Sequence, residues 1–372
     1  MSTSNHHPLA ADIRSFIDRA GTWHPAVPLP EDLIARFDEL ALALHDWQQR
    51  ANPVLTALHA NRCRPSTVME IPAVPCEAFR QLDVTCLPPD RRTRRFVSSG
   101  TTGAFRSRHW HNDNSLALYE HSLWRAFQRR TEVLSQNTAL ILLTPSPDLA
   151  PESSLVHMLG VVAKQFGRPF WFAGDVAAPA GAWQLSMERL RPELVRHVQG
   201  GSPVALIGTA FHFVHLTDHL ESIGSPLGLP AGSWIMETGG YKGRSRALPR
   251  AELLSRIHRF LGVPSGQVLG EYGMCELGSQ AYDEPGANES RTYRFPPWAM
   301  PVVISPEDAQ PVPDGGVGLL QVLDLANAWS AVSIRTQDLV RRRGDGFELL
   351  GRARQSQPRG CSLQLADLPQ TR

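Results

Sequence analysis

Short apolar runs alternate with longer amphipathic segments from about residue 96 onward, and this alternation limits the possible folds more than any other feature. The runs that favour strands are residues 138–144, 204–209, 234–238 and 267–272, and the segments with helical periodicity are 154–166, 187–198, 211–221 and 250–261. Strands and helices in alternation are typical of a doubly wound, largely parallel sheet. The predicted fold class is therefore α/β.

The flanking segments have a different character. In the N-terminal part, apolar residues recur at helical spacing, which predicts an amphipathic helix that contains Leu33, Phe37, Leu40, Leu44 and Trp47. After Asp283 the sequence changes to short β runs at 317–325, 331–340 and 347–350. The predicted domains are a helical and irregular segment packed on the core (1–95), an α/β nucleotide- and acid-binding core (96–283) and a small, mainly β subdomain with a short C-terminal tail (284–372).

The charge balance limits the classes of function. Lys and Arg number 37 and Asp and Glu 36, which gives a net charge of +1 and lacks the basic footprint of a dedicated nucleic-acid-binding protein. The arginine-rich runs at 91–95 and 341–343 are predicted to be solvated loops. No apolar run approaches the roughly 20 residues that span a bilayer, and the N-terminus has no secretory pattern, so a cytoplasmic protein is expected.

The strongest local signal is the segment Ser98-Ser99-Gly100-Thr101-Thr102-Gly103. Its glycines let backbone N–H groups approach a polyphosphate closely, and its hydroxyl side chains add further contacts. A polar surface turn is the alternative. The segment is not a P-loop, because no Gly-Lys-Ser/Thr sequence follows it.

Further signals lie at the ends of later predicted strands. In Gly270-Glu271-Tyr272-Gly273-Met274-Cys275-Glu276, an aromatic ring can stack on a base and a carboxylate can hold Mg²⁺. Upstream, Thr238-Gly239-Gly240-Tyr241-Lys242 suits a flat base. Downstream, Asp338 in Thr336-Gln337-Asp338 is suited to accept both hydroxyls of a ribose, and a Gly351-Arg352 pair follows. Taken singly, each segment also fits an ordinary strand end or turn.

In this order, the segments resemble the core motifs of the adenylate-forming ligase superfamily. The spacing is similar too, with about 170 residues from the phosphate loop to EYGMCE and about 60 more to Asp338. Within the superfamily, IPAVPCEAF, ETGGYKGR and ELLGRARQSQPRGCSL are most similar to the acyl-protein synthetase (LuxE-like) family. The resemblance implies the fold of the ligase N-terminal domain, with doubly wound sheets and a small β subdomain but without the full C-terminal lid domain.

The resemblance also implies a reaction in two steps, in which ATP activates a carboxylic acid as an acyl-adenylate and the acyl group then moves to a thiol. Glu276 would orient Mg²⁺, and His212 would lie near the carboxylate of the acid. By motif, the nucleotide would be held by residues at its phosphates (Ser98, Ser99, Gly100, Thr101, Thr102 and Gly103), its adenine (Gly239, Gly240, Tyr241 and Tyr272) and its ribose (Asp338 and Arg352).

The C-terminal part departs from the superfamily pattern. Ordinary members continue into a lid that carries a catalytic lysine, whereas no lysine follows Arg352. Lys242, beside the adenine glycines, is the predicted substitute, and an exposed loop residue is the alternative. The five cysteines form no C-x-x-C pair and are predicted to be free thiols. In the family, the cysteine of the segment Arg-Gly-Cys-Ser-Leu is the acyl acceptor, which implies Cys361 here; Cys275 is the rival, although its position favours packing.

Three functional hypotheses follow. The leading one is an ATP-dependent acyl-protein synthetase that acts on a carboxylic acid, in the family a fatty acid, and hands the acyl group to an acyl-CoA-reductase-like partner. The second is an AMP-forming ligase whose acceptor is free coenzyme A or an acyl-carrier protein, and the third is a non-catalytic nucleotide-binding scaffold. His212, His215 and His219 share a helix face, but no cysteine or carboxylate pattern accompanies them, so a zinc site is not favoured.

Overall fold

The computed structural model describes residues 7–22, 27–98, 106–132, 138–177, 182–239, 248–284 and 291–353. The helices in these ranges are α1 (Ala10–Gly21), α2 (Glu31–Ala51), α3 (Pro53–Leu58), α4 (Ala78–Gln81), α5 (Asp113–Thr131), α6 (Ser154–Phe166), α7 (Met187–Gln199), α8 (Ala210–Ser222) and α9 (Arg250–Leu261). The strands are β1 (Val74–Pro75), β2 (Arg94–Val97), β3 (Arg108–His111), β4 (Ala139–Leu142), β5 (Phe170–Phe172), β6 (Gly174–Ala177), β7 (Ala182–Leu185), β8 (Val204–Thr209), β9 (Trp234–Thr238), β10 (Val268–Tyr272), β11 (Ala281–Glu284), β12 (Thr292–Arg294), β13 (Ala299–Ile304), β14 (Val317–Asp324), β15 (Ser333–Arg343) and β16 (Gly346–Arg352).

A parallel half-sheet has the strand order β5-β4-β8-β9-β10. Its central strands are buried on both faces because helices cover both sides, which explains their continuous apolar sequences. Leu140 and Leu142 of β4 belong to a core shared with α1, α2, α5 and α6. Ile141 belongs to a second core, shared with α7, α8 and α9. The prediction of a doubly wound sheet is therefore confirmed, and each predicted strand and helix of this half ends within two residues of the observed one.

An antiparallel half-sheet continues directly from β10. The order is β10-β11-β12-β16-β15-β14-β13, and β1 adds to β15 in parallel. A third core underlies this half, with Tyr272, Tyr293 and Phe347 among its buried members. Backbone hydrogen bonding runs across residue 283 through β11, so the strands on both sides of the expected boundary belong to one sheet. The three-part domain division itself stays a prediction.

The expectation that both arginine-rich runs are loops was wrong for residues 94–95 and 341–343, whereas residues 92–93 lie outside helices and strands. Arg94 and Arg95 lie in β2, and residues 341–343 lie in β15. Their charges are balanced by carboxylates close by, as in the pairs of Arg95 with Glu152 and of Arg343 with Glu348. Alternation along a strand allows one side of such a run to face solvent while the backbone still pairs with a neighbouring strand.

Among the helices in the described ranges, none is long and apolar enough to cross a bilayer.

Candidate active site

The carboxyl ends of β8, β9 and β10 lie side by side. The parallel register pairs Thr209 with Thr238, and Thr238 with Glu271. From β4 the chain proceeds first to β5 on one side and later to β8 on the other, so the gap between β4 and β8 is a topological switch point. Ligands of open α/β sheets bind in the crevice at such a point. The predicted acid, adenine and metal segments therefore meet at one edge of the sheet.

Asp338 connects this edge to the antiparallel half. The Tyr272 hydroxyl donates a hydrogen bond to Oδ2 of Asp338 at 2.7 Å. The Nε atom of Arg352 lies 3.4 Å from Oδ1, and the β15–β16 register sets Asp338 directly opposite Arg352. The structure thus brings together three residues from three separate motifs of the sequence.

The Tyr272 ring lies in an aromatic cluster. Its closest ring neighbours meet it edge-to-face, Phe347 at 5.3 Å and Phe295 at 6.2 Å between centroids. The side chain is 7% exposed, and burial raises the pKa of the phenol well above its ordinary value, with the Asp338 carboxylate adding to the rise. The hydroxyl is therefore a neutral donor at physiological pH. Its stacking on adenine stays a prediction.

Glu276 lies in the turn after β10 and is 5% exposed. Burial raises the pKa of its carboxyl, while a hydrogen bond from Ser107 and the charges of Arg80 and Arg352 oppose the rise. Asn327 Nδ2 donates to the backbone carbonyl of Glu276 at 2.9 Å. The Ser107 hydrogen bond thus holds the carboxyl and the Asn327 hydrogen bond holds the backbone, and ligating carboxylates in metal sites are commonly hydrogen-bonded in this way.

The β2–β3 hairpin carries the predicted phosphate segment and packs against the Glu276 turn. Ser98 and Ser107 close its base, since the amide of Ser98 donates to the carbonyl of Ser107 at 3.0 Å and the amide of Ser107 donates to Ser98 Oγ at 3.0 Å. His109 Nδ1 donates to the carbonyl of Cys275 at 2.8 Å. Burial lowers the pKa of His109 to about 4, so this bond is made by a neutral ring at pH 7.

Residues ahead of the hairpin also reach the site, although the sequence did not single them out. The Cys76 amide donates to a backbone carbonyl of β15 at 2.9 Å, and Gln337 Nε2 donates to Glu77 Oε1 at 2.6 Å. Arg80 acts on Glu276 through its charge. The motif IPAVPCEAF was the available signal: it placed this segment before the phosphate loop, but it did not indicate these contacts.

His212 is buried at the N-terminus of α8. Its Nδ1 lies 3.2 Å from Thr209 Oγ1, and the two residues cap the helix reciprocally. The Trp183 indole stacks over the imidazole, with centroids 6.2 Å apart and ring planes 17° apart. His212 follows β8, which borders the switch point, and its expected contact with the acid carboxylate stays a prediction. His215 on the next turn is exposed, so the histidine stripe does not converge.

A largely buried ion cluster joins the end of β9 to the start of α9. Gly239 has a φ of +64°, which favours glycine at this position. Arg250, at the start of α9, places Nη2 2.7 Å from Asp283 Oδ2 and 3.2 Å from Glu237 Oε2. Its Nη1 donates to the Tyr293 hydroxyl at 2.6 Å. The start of α9 is therefore fixed to β9 and β11 at this edge of the sheet.

The other predicted residues lie outside the described ranges: Ser99, Gly100, Thr101, Thr102, Gly103, Gly240, Tyr241, Lys242 and Cys361. Among the described cysteines, Cys63 is exposed and Cys275 is buried, as its motif position predicted. Burial raises the pKa of the Cys76 and Cys86 thiols, and Glu77 and Glu276 raise that of Cys76 further. These two thiols are therefore poor nucleophiles near neutral pH.

The side chains around Glu276 determine whether Mg²⁺ fits this site. The described residues contain no cluster of three or more His, Cys, Asp or Glu side chains that could enclose a metal ion. Mg²⁺ at nucleotide sites is commonly bound by one or two carboxylates together with phosphate oxygens and water. A single buried carboxylate, Glu276, beside the phosphate-segment hairpin fits that pattern.

Comparison with solved structures defines the class of fold. The chain is similar to 2-hydroxyisobutyryl-CoA ligase in its postadenylation state, with a TM-score of 0.63, 13% identity, and coverage of 90% of this chain and 70% of that one. It is also similar to the McyG A-PCP protein in complex with phenylalanyl-adenylate, with a TM-score of 0.51, 13% identity, and coverage of 72% of this chain and 48% of that one. It spans 49% of an ATP-bound RpMatB-BxBclM chimera, at a TM-score of 0.48 and 15% identity. The fold is that of the adenylate-forming ligases.

Sequence comparison then defines the family. The model of the family described as acyl-protein synthetase, LuxE, matches residues 61–368, so the chain belongs to this family. Two relatives named long-chain-fatty-acid–luciferin-component ligase are similar to it: one from Vibrio harveyi is 22% identical over 306 residues, covering 80% of this chain and 78% of the relative, and one from Aliivibrio fischeri is 21% identical over 316 residues, covering 82% and 80%. The predictions of the family and of the ligase class are confirmed.

Proposed function

We propose that this protein is an ATP-dependent acyl-protein synthetase that stores an acyl group on its own Cys361. The observation that carries the proposal is the convergence of Tyr272, Asp338, Arg352 and Glu276 at one sheet edge of an adenylate-forming fold. The family of the chain and the names of its relatives support a long-chain fatty acid as the substrate. The acyl group would then pass to an acyl-CoA-reductase-like partner.

The first step is a displacement at phosphorus. A carboxylate oxygen of the acid attacks the α-phosphorus of ATP, the bond to the β-phosphate oxygen breaks, and pyrophosphate leaves. The chain contributes position and charge: Asp338 orients the nucleotide, Arg352 neutralises negative charge, and the phosphate-segment hairpin supplies donors. Mg²⁺ held through Glu276 would supply neutralisation of the phosphate oxygens.

In the second step, the Cys361 thiolate attacks the acyl carbon and AMP leaves, so a thioester replaces the mixed anhydride. The thiol proton is released to solvent or to a nearby base. Burial of Cys76 and Cys86 supports Cys361 as the carrier, because burial keeps those two thiols protonated. Among the described cysteines, Cys63 remains as an exposed competitor.

The test is intact-protein mass spectrometry after incubation with ATP, Mg²⁺ and a panel of short, long and aromatic acids. We expect a hydroxylamine-labile adduct on wild-type protein and on Cys63→Ala, and none on Cys361→Ala. Pyrophosphate exchange should persist in Cys361→Ala, because adenylation precedes the thiol step. Acyl-CoA formation by Cys361→Ala at the wild-type rate would refute the carrier role, and absence of pyrophosphate exchange across the acid panel in wild-type protein would refute the enzyme.

A further inference from the structure

One edge of β16 is open beyond Phe347. On one side, β15 pairs with β16 from Gly346 to Arg352, whereas on the other side β12 pairs with it only at Phe347. Within the described ranges, no strand pairs with residues 348–352 on that second side. An unpaired strand edge presents N–H and C=O groups to which another strand can add. This edge can therefore bind a further extended segment.

Two leucines lie partly in solvent on the open stretch of β16. Leu349 and Leu350 are each 40% exposed. Leu349 lies opposite Val340, which is fully buried, so it faces the side of the sheet on which the third core lies. Leu350 is the additional residue of a β-bulge, because the register passes from the pair Leu339–Gly351 to the pair Val340–Leu349. The third core thus ends on apolar side chains that remain in contact with water.

The open edge ends at the nucleotide site. Arg352 lies opposite Asp338, and the amide of Ala353 donates to the carbonyl of Gln337 at 3.0 Å. The chain that follows Ala353 therefore starts beside the residues proposed to hold the ribose. Cys361 comes eight residues later, so a fully extended connection reaches about 28 Å at most. A connection of this length allows the chain to turn and return along β16.

The sequence around Cys361 matches such an edge. In residues 361–365 (CSLQL), leucines alternate with polar residues, which is the period of a strand with one apolar face. Pro358 and Gly360 lie between Ala353 and this segment, and both residue types favour a turn. A chain that turns there runs antiparallel to β16, with its leucines along the exposed pair and with Cys361 toward Ala353.

We propose that the open edge of β16 is the docking surface for residues 361–365, which add to it as an antiparallel strand and thereby hold Cys361 beside the nucleotide site. The leucines of the segment cover Leu349 and Leu350, which touch no reacting atom and act by positioning the thiol. The role of Cys361 as acyl acceptor rests on the proposed function. The docking itself requires neither ATP nor an acid.

Hydrogen exchange on the full chain tests the docking without a ligand. The amides of residues 348–352 should exchange about tenfold more slowly in wild-type protein than in Leu363→Asp/Leu365→Asp, because the edge loses its partner strand in the variant. Leu368→Asp is the matched control, since it adds the same charge to the C-terminal part of the chain outside residues 361–365. The control should leave the protection of residues 348–352 unchanged.

Single-turnover kinetics tests the positioning of the thiol. With ATP, Mg²⁺ and a long-chain fatty acid, Leu349→Asp/Leu350→Asp should form the thioester about tenfold more slowly, as for a lost apolar contact. Pyrophosphate exchange should stay at the wild-type rate, because adenylation does not use this edge. Val317→Asp is the matched control, since Val317 is also 40% exposed and lies in the same half-sheet. Adding Leu363→Asp/Leu365→Asp should slow the reaction no further, because both pairs belong to one contact.

The outcomes separate the docking from the proposed function. Equal protection of residues 348–352 in wild-type protein and in Leu363→Asp/Leu365→Asp overturns the docking. A wild-type rate of thioester formation in Leu349→Asp/Leu350→Asp also overturns it, and so does an equal loss of pyrophosphate exchange and thioester formation in a variant whose near-ultraviolet circular dichroism is unchanged. Wild-type protein without pyrophosphate exchange refutes the proposed function instead, and the hydrogen-exchange result then decides the docking alone.

Discussion

Gly270 occupies a place in the sheet where a side chain would displace an arginine. A Cβ atom built at this position would lie 2.6 Å from Arg250 Nη2, 2.6 Å from Asp283 Oδ2 and 2.8 Å from the Tyr293 hydroxyl. Real Cβ atoms do not approach other atoms this closely, so Gly270→Ala must move the guanidinium away from its carboxylates. The change therefore tests whether the buried ion cluster stabilises the junction between the two half-sheets.

The magnitude follows from two costs. Overpacking of a tightly filled site costs about 1–3 kcal/mol. Loss of a charge-assisted hydrogen bond adds about 1.5–3 kcal/mol, because Asp283 is fully buried and Glu237 nearly so. Asp283 keeps its bond to Arg291, at 3.0 Å, which limits the loss. We expect the free energy of unfolding to fall by about 3–5 kcal/mol.

Equilibrium unfolding in urea measures this loss, with Gly266→Ala as the control. A Cβ atom at Gly266 meets nothing within 4 Å, and the residue lies only a few positions away in the same chain segment. The control should change the free energy of unfolding by less than about 1 kcal/mol. Arg250→Met should reduce the cost of Gly270→Ala by at least about 1 kcal/mol, because the displaced group is then uncharged. Equal stabilities of the Gly270→Ala and Gly266→Ala variants would refute the reasoning.

Other predictions concern the site and its pH dependence. Glu276→Gln should lower pyrophosphate exchange most at limiting Mg²⁺, whereas Glu188→Gln, on an exposed turn of α7, should not; undiminished exchange at limiting Mg²⁺ would remove the metal assignment. Burial raises the pKa of Asp324 to about 6. Between pH 4 and pH 6 the folded protein therefore keeps a proton on this carboxyl that the unfolded chain releases. The free energy of unfolding should fall by up to about 3 kcal/mol over this range because of Asp324. Burial lowers the pKa of His109 to about 4, so the unfolded chain holds more protons at this position than the folded protein between pH 4 and pH 6.5. The contribution of His109 to the free energy of unfolding should therefore rise with pH over this range. In urea unfolding from pH 4 to pH 7, Asp324→Asn should steepen the rise of stability with pH and His109→Gln should flatten it; parallel profiles would contradict both assignments.

The parallel half of the fold could be predicted because its signals are local. Each central strand is a short apolar run that is buried on both faces, and it is bounded by residues that end strands, such as Pro203 before β8 and Gly239 after β9. Helices between strands carry their own periodicity. The antiparallel half was harder to predict from the sequence. Its strands β11 and β12 are only a few residues long, and they are strands because they pair with neighbouring strands of the sheet. No pattern within β12 indicates that Tyr293 pairs with Phe347.

The site could be predicted as a set of motifs, but its internal contacts could not. Motif order placed Tyr272, Glu276 and Asp338 in one ligand crevice, and the sheet brings Tyr272 into contact with Asp338. The sequence gives no sign that the Tyr272 ring is enclosed or that its hydroxyl is committed. Nor does it reveal Glu77 and Gln337, whose hydrogen bond joins segments far apart in the chain. Such pairs depend on which segments meet in the folded protein. The periodicity of residues along a single sequence carries no information about those meetings.

The N-terminal helix α2 shows how a distant element supports the chemistry. Its apolar stripe predicted a helix packed on a core, and that is observed. On the same helix, fully buried Gln48 donates to the carbonyls of Asn327 and Ala328, each at 2.9 Å, and accepts from the amide of Val332 at 2.8 Å. Asn327 in turn donates to the carbonyl of Glu276. Because buried carbonyls and amides need partners, Gln48 fixes the loop that fixes the Glu276 backbone. Gln48, a polar residue on the buried face of α2, therefore supports the site through Asn327, although α2 itself lies far from Glu276 in the sequence.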